Sequence, residues 1–172
     1  MSFLAGLYDP VEERLYEAEP GRFVGDSDPP TGLSAVYDYE ALREAVDSFG
    51  FLADGSTLSR FLPLLPLKQG ISIPSADLGS TPLEKQSLDG GDRIPDSVLT
   101  KEEGAQPGGT VWDRAAVVAL SVAREWTRQA VLYPGDGPVS RCVDRYASRS
   151  DFDRYVLRGE DETPLDTSFE GA

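Results

Sequence analysis

The sequence predicts an α/β fold: a partial three-layer arrangement with a small, mostly parallel sheet flanked by helices, preceded by an irregular N-terminal region. Three observations predict it. From residue 97 onward, short apolar runs and helical stripes alternate in the order strand, helix, strand, helix, strand. Gly- and Pro-bearing turns separate them. The 172 residues, 40% of them hydrophobic, suffice for one real core.

Residues 1–32 carry scattered aromatics among Asp, Glu, Pro and Gly, with no clear period. Leu33-Ser34-Ala35-Val36-Tyr37 alternates like a short strand, and Asp38 can cap a helix striped by Leu42, Ala45, Val46 and Phe49. Residues 50–96 are rich in Gly and Pro and read as irregular loops with short strands. Ser97-Val98-Leu99-Thr100 reads as a short buried strand, followed by a loop containing Gly104, Gly108 and Gly109. Next comes a helix with Trp112, Ala115, Ala116, Ala119, Val122, Ala123 and Trp126 on one side. Thr110 and Asp113 stand at capping-box spacing at its start. Ala130-Val131-Leu132-Tyr133 is a second strand, and Pro134-Gly135-Asp136-Gly137 is a turn. Pro138 suits a first helical position, and Val139, Cys142, Val143, Tyr146 and Ala147 stripe the helix it opens. Tyr155-Val156-Leu157 reads as a third strand. Three domains of organisation follow: 1–32, an α/β unit over 33–158, and an acidic tail over 159–172. About three parallel strands make a small sheet, so open edges are expected.

Composition excludes whole classes of chemistry. There is no His, which removes imidazole bases, triads and His-ligated metals, and one Cys leaves no disulfide framework or Cys-based zinc site. No apolar run approaches the roughly 18–20 residues of a membrane span, and no signal peptide opens the chain. A cytoplasmic location without membrane contact is the expectation. Sixteen Lys and Arg face 30 Asp and Glu, a net charge of −14, so a phosphate backbone would be repelled and direct nucleic-acid binding is not expected. Only Lys68, Lys85 and Lys101 are lysines, and the acids are scattered. Such a surface suits a halophilic, salt-filled cytoplasm.

Lys101-Glu102-Glu103-Gly104-Ala105-Gln106-Pro107-Gly108-Gly109-Thr110-Val111-Trp112-Asp113-Arg114 resembles the cofactor-lysine segment of the threonine synthase family, pyridoxal-phosphate enzymes of fold type II. Four further stretches are similar to that family in the same order. They are Ser34-Ala35-Val36-Tyr37-Asp38-Tyr39, which there follows a zinc ribbon, Arg60 to Pro66, Leu78-Gly79-Ser80-Thr81-Pro82-Leu83, and Tyr146-Ala147-Ser148-Arg149. The resemblance covers roughly residues 33–150 and implies the same α/β type of fold.

The departures from the family pattern matter as much. Its Schiff-base lysine falls on Trp112, and an indole has no amine to form the internal aldimine. Lys101 sits on the preceding strand. The family's asparagine loop reads Gly135-Asp136-Gly137-Pro138, the ribbon cysteines are missing, and the family's phosphate loop would lie beyond residue 172. From these departures the sequence is read as a truncated, degenerate relative. It is expected to be a pseudoenzyme and not an enzyme, with no catalytic, cofactor-binding or metal site and with pyridoxal phosphate lost. Its role is then that of a binding or regulatory subunit with a protein partner or in a homo-oligomer, Trp112 and Trp126 being the interface candidates. Two alternatives stand beside this: a structural or assembly component of a larger complex, and a pyridoxal-phosphate enzyme completed by a partner chain.

Simpler roles are assigned to the remaining groups. Asp113 and Arg114 read as a helix-start carboxylate and a structural ion pair. Gly104, Gly108 and Gly109 read as turns before an anion cradle. Glu102/Glu103 and Asp151/Asp153 read as solvated surface, and Cys142 reads as a small inward hydrophobe.

Overall fold

The computed structural model describes residues 2–49, 57–68, 71–73, 78–87, 97–135 and 137–158. Its strands are β1 (Leu4–Asp9), β2 (Arg14–Tyr16), β3 (Ser34–Tyr37), β4 (Leu83–Ser87), β5 (Ser97–Lys101), β6 (Ala130–Pro134) and β7 (Asp153–Leu157). The α-helices are α1 (Tyr39–Phe49), α2 (Trp112–Glu125) and α3 (Pro138–Ala147), with 3-10 helices over Leu58–Leu64 and Glu103–Ala105. The fold is mixed α/β, as expected, but its sheets are divided. β2-β1-β3 is antiparallel, β4-β5 is antiparallel, and β6-β7 is parallel.

The region without a period therefore holds two strands. Their hairpin turns on Asp9-Pro10, where the Asp9 side chain accepts from the amides of Val11 (2.8 Å) and Glu12 (3.2 Å). This is an Asx turn with Pro fixing the next φ, a local signal that periodicity does not register. The Asp38 cap is formed: its carboxylate accepts from the Ala41 amide at 3.0 Å.

β5 departs from expectation. It pairs with β4 and not with β6, and Val98 and Leu99 are exposed. Adjacent residues of a strand point to opposite faces, so a two-residue apolar run cannot place both in one core. Only β6 and β7, joined through α3, form a parallel crossover among the described residues.

The core lies between α2, α3 and the segments around Leu58 and Leu78. Leu58, Ile73, Leu78, Val117, Leu120, Cys142, Tyr146 and Phe152 are buried together. Each large aliphatic side chain removed from water contributes about 1.5–3 kcal/mol. On α2 this core face is Asp113, Ala116, Val117, Leu120 and Ser121. The expected stripe through Ala115, Ala119, Val122 and Trp126 is a second, less covered face. A helix this rich in Ala and Val is apolar on both sides, so its stripe alone does not say which side is core. α3 has Pro138 in its first turn and Cys142, Tyr146 and Ala147 inward, as read, but Val139 of the expected stripe is exposed. The acidic tail over 159–172 and Asp136 lie outside the described residues.

Candidate functional site

The resembling segments come together at the start of α2. Thr110 and Asp113 form the capping box: Thr110 Oγ1 accepts from the Trp112 amide (3.1 Å), and the Asp113 carboxylate accepts from the Thr110 amide (3.2 Å). Asp113 does more than cap. It is fully buried and also accepts from the Gly108 amide (2.8 Å) and the Tyr146 hydroxyl (2.7 Å). One carboxylate thus ties the Gly-rich loop, α2 and α3 together. Burial, followed by the hydrogen bond to Asp113, pushes the Tyr146 phenol well above its usual range. Burial likewise raises the Cys142 thiol, whose Sγ lies 3.3 Å from Thr110 Oγ1, so this cysteine is a packed group with little thiolate character.

Beside it lies a polar cluster of Thr81, Lys101, Glu103, Gln106 and Arg114. Arg114 grips Glu103 with two bonds, Nε to Oε2 and Nη2 to Oε1, both 3.1 Å. Arg114 and Lys101 both donate to Thr81 Oγ1, which itself donates to Glu103 Oε1 at 2.8 Å. Gln106, 4% exposed, accepts from the Gly79 amide at 3.1 Å and so stitches the 78–83 stretch to the 101–114 stretch. The guanidinium of Arg114, with the Thr81 hydroxyl helping, holds the Glu103 carboxyl down at about 2. Glu103 is therefore no solvated surface acid. The missed signal was Arg114 eleven residues on, brought back by the loop between them.

Trp112 stands on the first turn of α2, 45% exposed, where the family pattern has its lysine. The cofactor implied by the resemblance does not fit: Trp112 has no amine, and the Lys101 amine is turned to Thr81 and Glu103. Nothing in the first turn of α2 could hold pyridoxal phosphate covalently. Trp126 is elsewhere, at the other end of α2, its ring 5.0 Å from that of Phe23. Among the described residues, no group of three or more His, Cys, Asp or Glu is placed to hold a metal ion, and no helix is long and apolar enough to cross a membrane.

A curated threonine synthase from Methanocaldococcus jannaschii is 28% identical to this chain over 158 residues, covering 92% of the chain. This chain is similar to a threonine synthase. The likeness runs across the clustered segments just described, and the chain spans 36% of that protein's length. No protein-family model matches the chain, and no solved structure matches it.

The relative corrects one expectation. Its name is that of an enzyme, so the reading of this chain as a pseudoenzyme is overturned. That reading took the missing amine at position 112, the altered asparagine loop over Gly135-Asp136-Gly137-Pro138 and the missing phosphate loop together as loss of activity, and departures from a family pattern do not by themselves show inactivity. Trp112 bears only on a covalent anchor at that position, while the Thr81–Lys101–Glu103–Arg114 cluster is fully formed.

Proposed function

We propose that this threonine-synthase-like chain works as a binding subunit that joins a partner protein of α/β type along β6 and β7. The observation that carries the reading is the state of that sheet. Parallel strands are ordinarily covered on both faces, and a two-stranded sheet is not stable alone. Here α3 covers one face, while Leu132, Tyr155 and Leu157 project from the other, 62%, 58% and 57% exposed. Every residue of β7 is exposed, and its far edge makes no ladder among the described residues. A partner supplying a strand to that edge and a helix to the outer face would complete a three-layer arrangement.

A second reading has the relative's name in its favour: a composite enzyme in which the partner brings the pyridoxal phosphate and this chain brings binding surface. The two share the β6–β7 contact and differ in what the complex contains. In either case the scattered acids suit work in a salt-rich cytoplasm.

The test is an affinity pull-down in the salt of the native cell, with mass spectrometry and a native mass, repeated with Tyr155→Lys and Leu157→Lys. Stoichiometric recovery of an α/β protein, lost in both variants, is the expected result. A complex in which mass spectrometry finds pyridoxal phosphate favours the composite enzyme. A bare monomer, or a complex indifferent to both substitutions, overturns the proposal.

A further inference from the structure

Between the second face of α2 and the β2-β1-β3 sheet lies a cavity of about 670 Å³. Its floor is built from Val118, Ala119 and Val122 of α2, its roof from Leu4 and Leu7 of β1, and Phe23 with Trp126 also line it. The volume is that of a small-molecule site, roughly 300–1,000 Å³.

The charge of its lining is anomalous for this protein. Arg22, Lys68 and Arg128 line it against a single acid, Glu125, in a chain whose net charge is −14. Arg22 is paired with Asp26 at 3.3 Å, and Glu125 accepts from the backbone amide of Lys68 at 3.0 Å. The Lys68 ammonium and the Arg128 guanidinium make no ion pair among the described residues. Where acids outnumber bases almost two to one, two exposed cations with no ion pair among the described residues, at the rim of an apolar cavity, suit an outside anion. The remaining walls ask for an apolar body attached to it.

We infer that this cavity is a binding site for a free medium-chain fatty acid, its tail against Val118, Val122 and Trp126 and its carboxylate between Lys68 and Arg128. No residue of β6 or β7 lines the cavity, so the inference stands apart from the partner contact.

The chain has two tryptophans, so Trp112→Phe leaves Trp126 as the one indole reporter, inside the site. In that background, emission is titrated with sodium decanoate and with decan-1-ol, which has the same tail and no charge. A saturable change with decanoate is expected. Lys68→Gln with Arg128→Gln should weaken decanoate about tenfold or more while moving decanol less than about twofold, as for the loss of a paired charge. Ala119→Phe, which fills the floor, should remove the response to both ligands, with a melting curve showing that the variant is folded. The inference is overturned by no saturable change up to the solubility limit. Equal decanoate and decanol affinities, decanoate binding indifferent to the two cations, or binding retained in a folded Ala119→Phe variant also overturn it.

Discussion

Replacing Asp113 by Ala should destabilise the chain more than any other single change at a polar residue described above. The carboxylate is fully buried and accepts from the Gly108 amide at 2.8 Å, the Thr110 amide at 3.2 Å and the Tyr146 hydroxyl at 2.7 Å. Removing it takes the acceptor from these three donors and from the weaker bonds of the Thr110 hydroxyl and the Cys142 thiol, and Tyr146 is 2% exposed, so water does not easily replace the lost partner. At about 1–3 kcal/mol for each stranded donor, and with partial relaxation of the loop, the loss is about 4 kcal/mol. That is a large part of the roughly 5–15 kcal/mol that holds a domain folded. Tyr146→Phe removes one donor and should cost only about 1 kcal/mol. Urea unfolding followed by tryptophan fluorescence measures both, and the double variant should be less destabilised than the sum of the singles, because the two groups share a bond. A loss below about 1 kcal/mol for Asp113→Ala would refute the role of Asp113 as the tie between loop, α2 and α3.

Three further outcomes are expected. The Glu103–Arg114 grip holds the folded Glu103 carboxyl at about 2, below its ordinary 4.5. Its stabilisation is therefore whole above about pH 4.5 and is lost as pH falls towards 2. Screened at a partly exposed pair, it amounts to about 1–2 kcal/mol, and Glu103→Gln should flatten that limb of the stability–pH curve. A Cβ at Gly25 would lie 1.7 Å from the Asp9 carboxylate, which is fixed in its turn by two amides. Gly25→Ala should accordingly lower stability by about 2 kcal/mol, read by thermal melting. Raising KCl from 0.1 to 2 M should lift the melting temperature by several degrees, since the Debye length shrinks from about 10 Å to under about 3 Å and the −14 charge is screened; a falling melting temperature would count against the salt-rich setting.

The sequence made the helices legible and left the sheets largely hidden. α2 and α3 carry long stripes, a capping box at Thr110–Asp113 and a proline at position 138, all local signals that survive in the fold. Strand pairing is not local. Nothing in Ser97–Lys101 says that it pairs with Leu83–Ser87 and not with Ala130–Pro134, so one parallel sheet was expected where two separate pairs stand. β1 and β2 were missed because their order is set by an Asx turn at Asp9 and not by alternation. At the candidate site, Asp113 and Arg114 were legible as helix-start groups. Thr81, Gln106 and Glu103 were not, because their roles come from a loop that folds back over twenty residues or more. The likeness to a threonine synthase, expected from five motifs, is supported by the relative from Methanocaldococcus jannaschii. The inference from Trp112, the altered asparagine loop and the missing phosphate loop to lost activity failed because departures from a family pattern do not by themselves show inactivity, and the named relative is an enzyme.

The most direct test of the binding-subunit reading is the native mass of the protein recovered from its own cells in their own salt, wild type beside Tyr155→Lys. The account predicts a stoichiometric complex with an α/β partner for the wild type and free chain for the variant. A wild-type monomer, or the same complex in both, contradicts it.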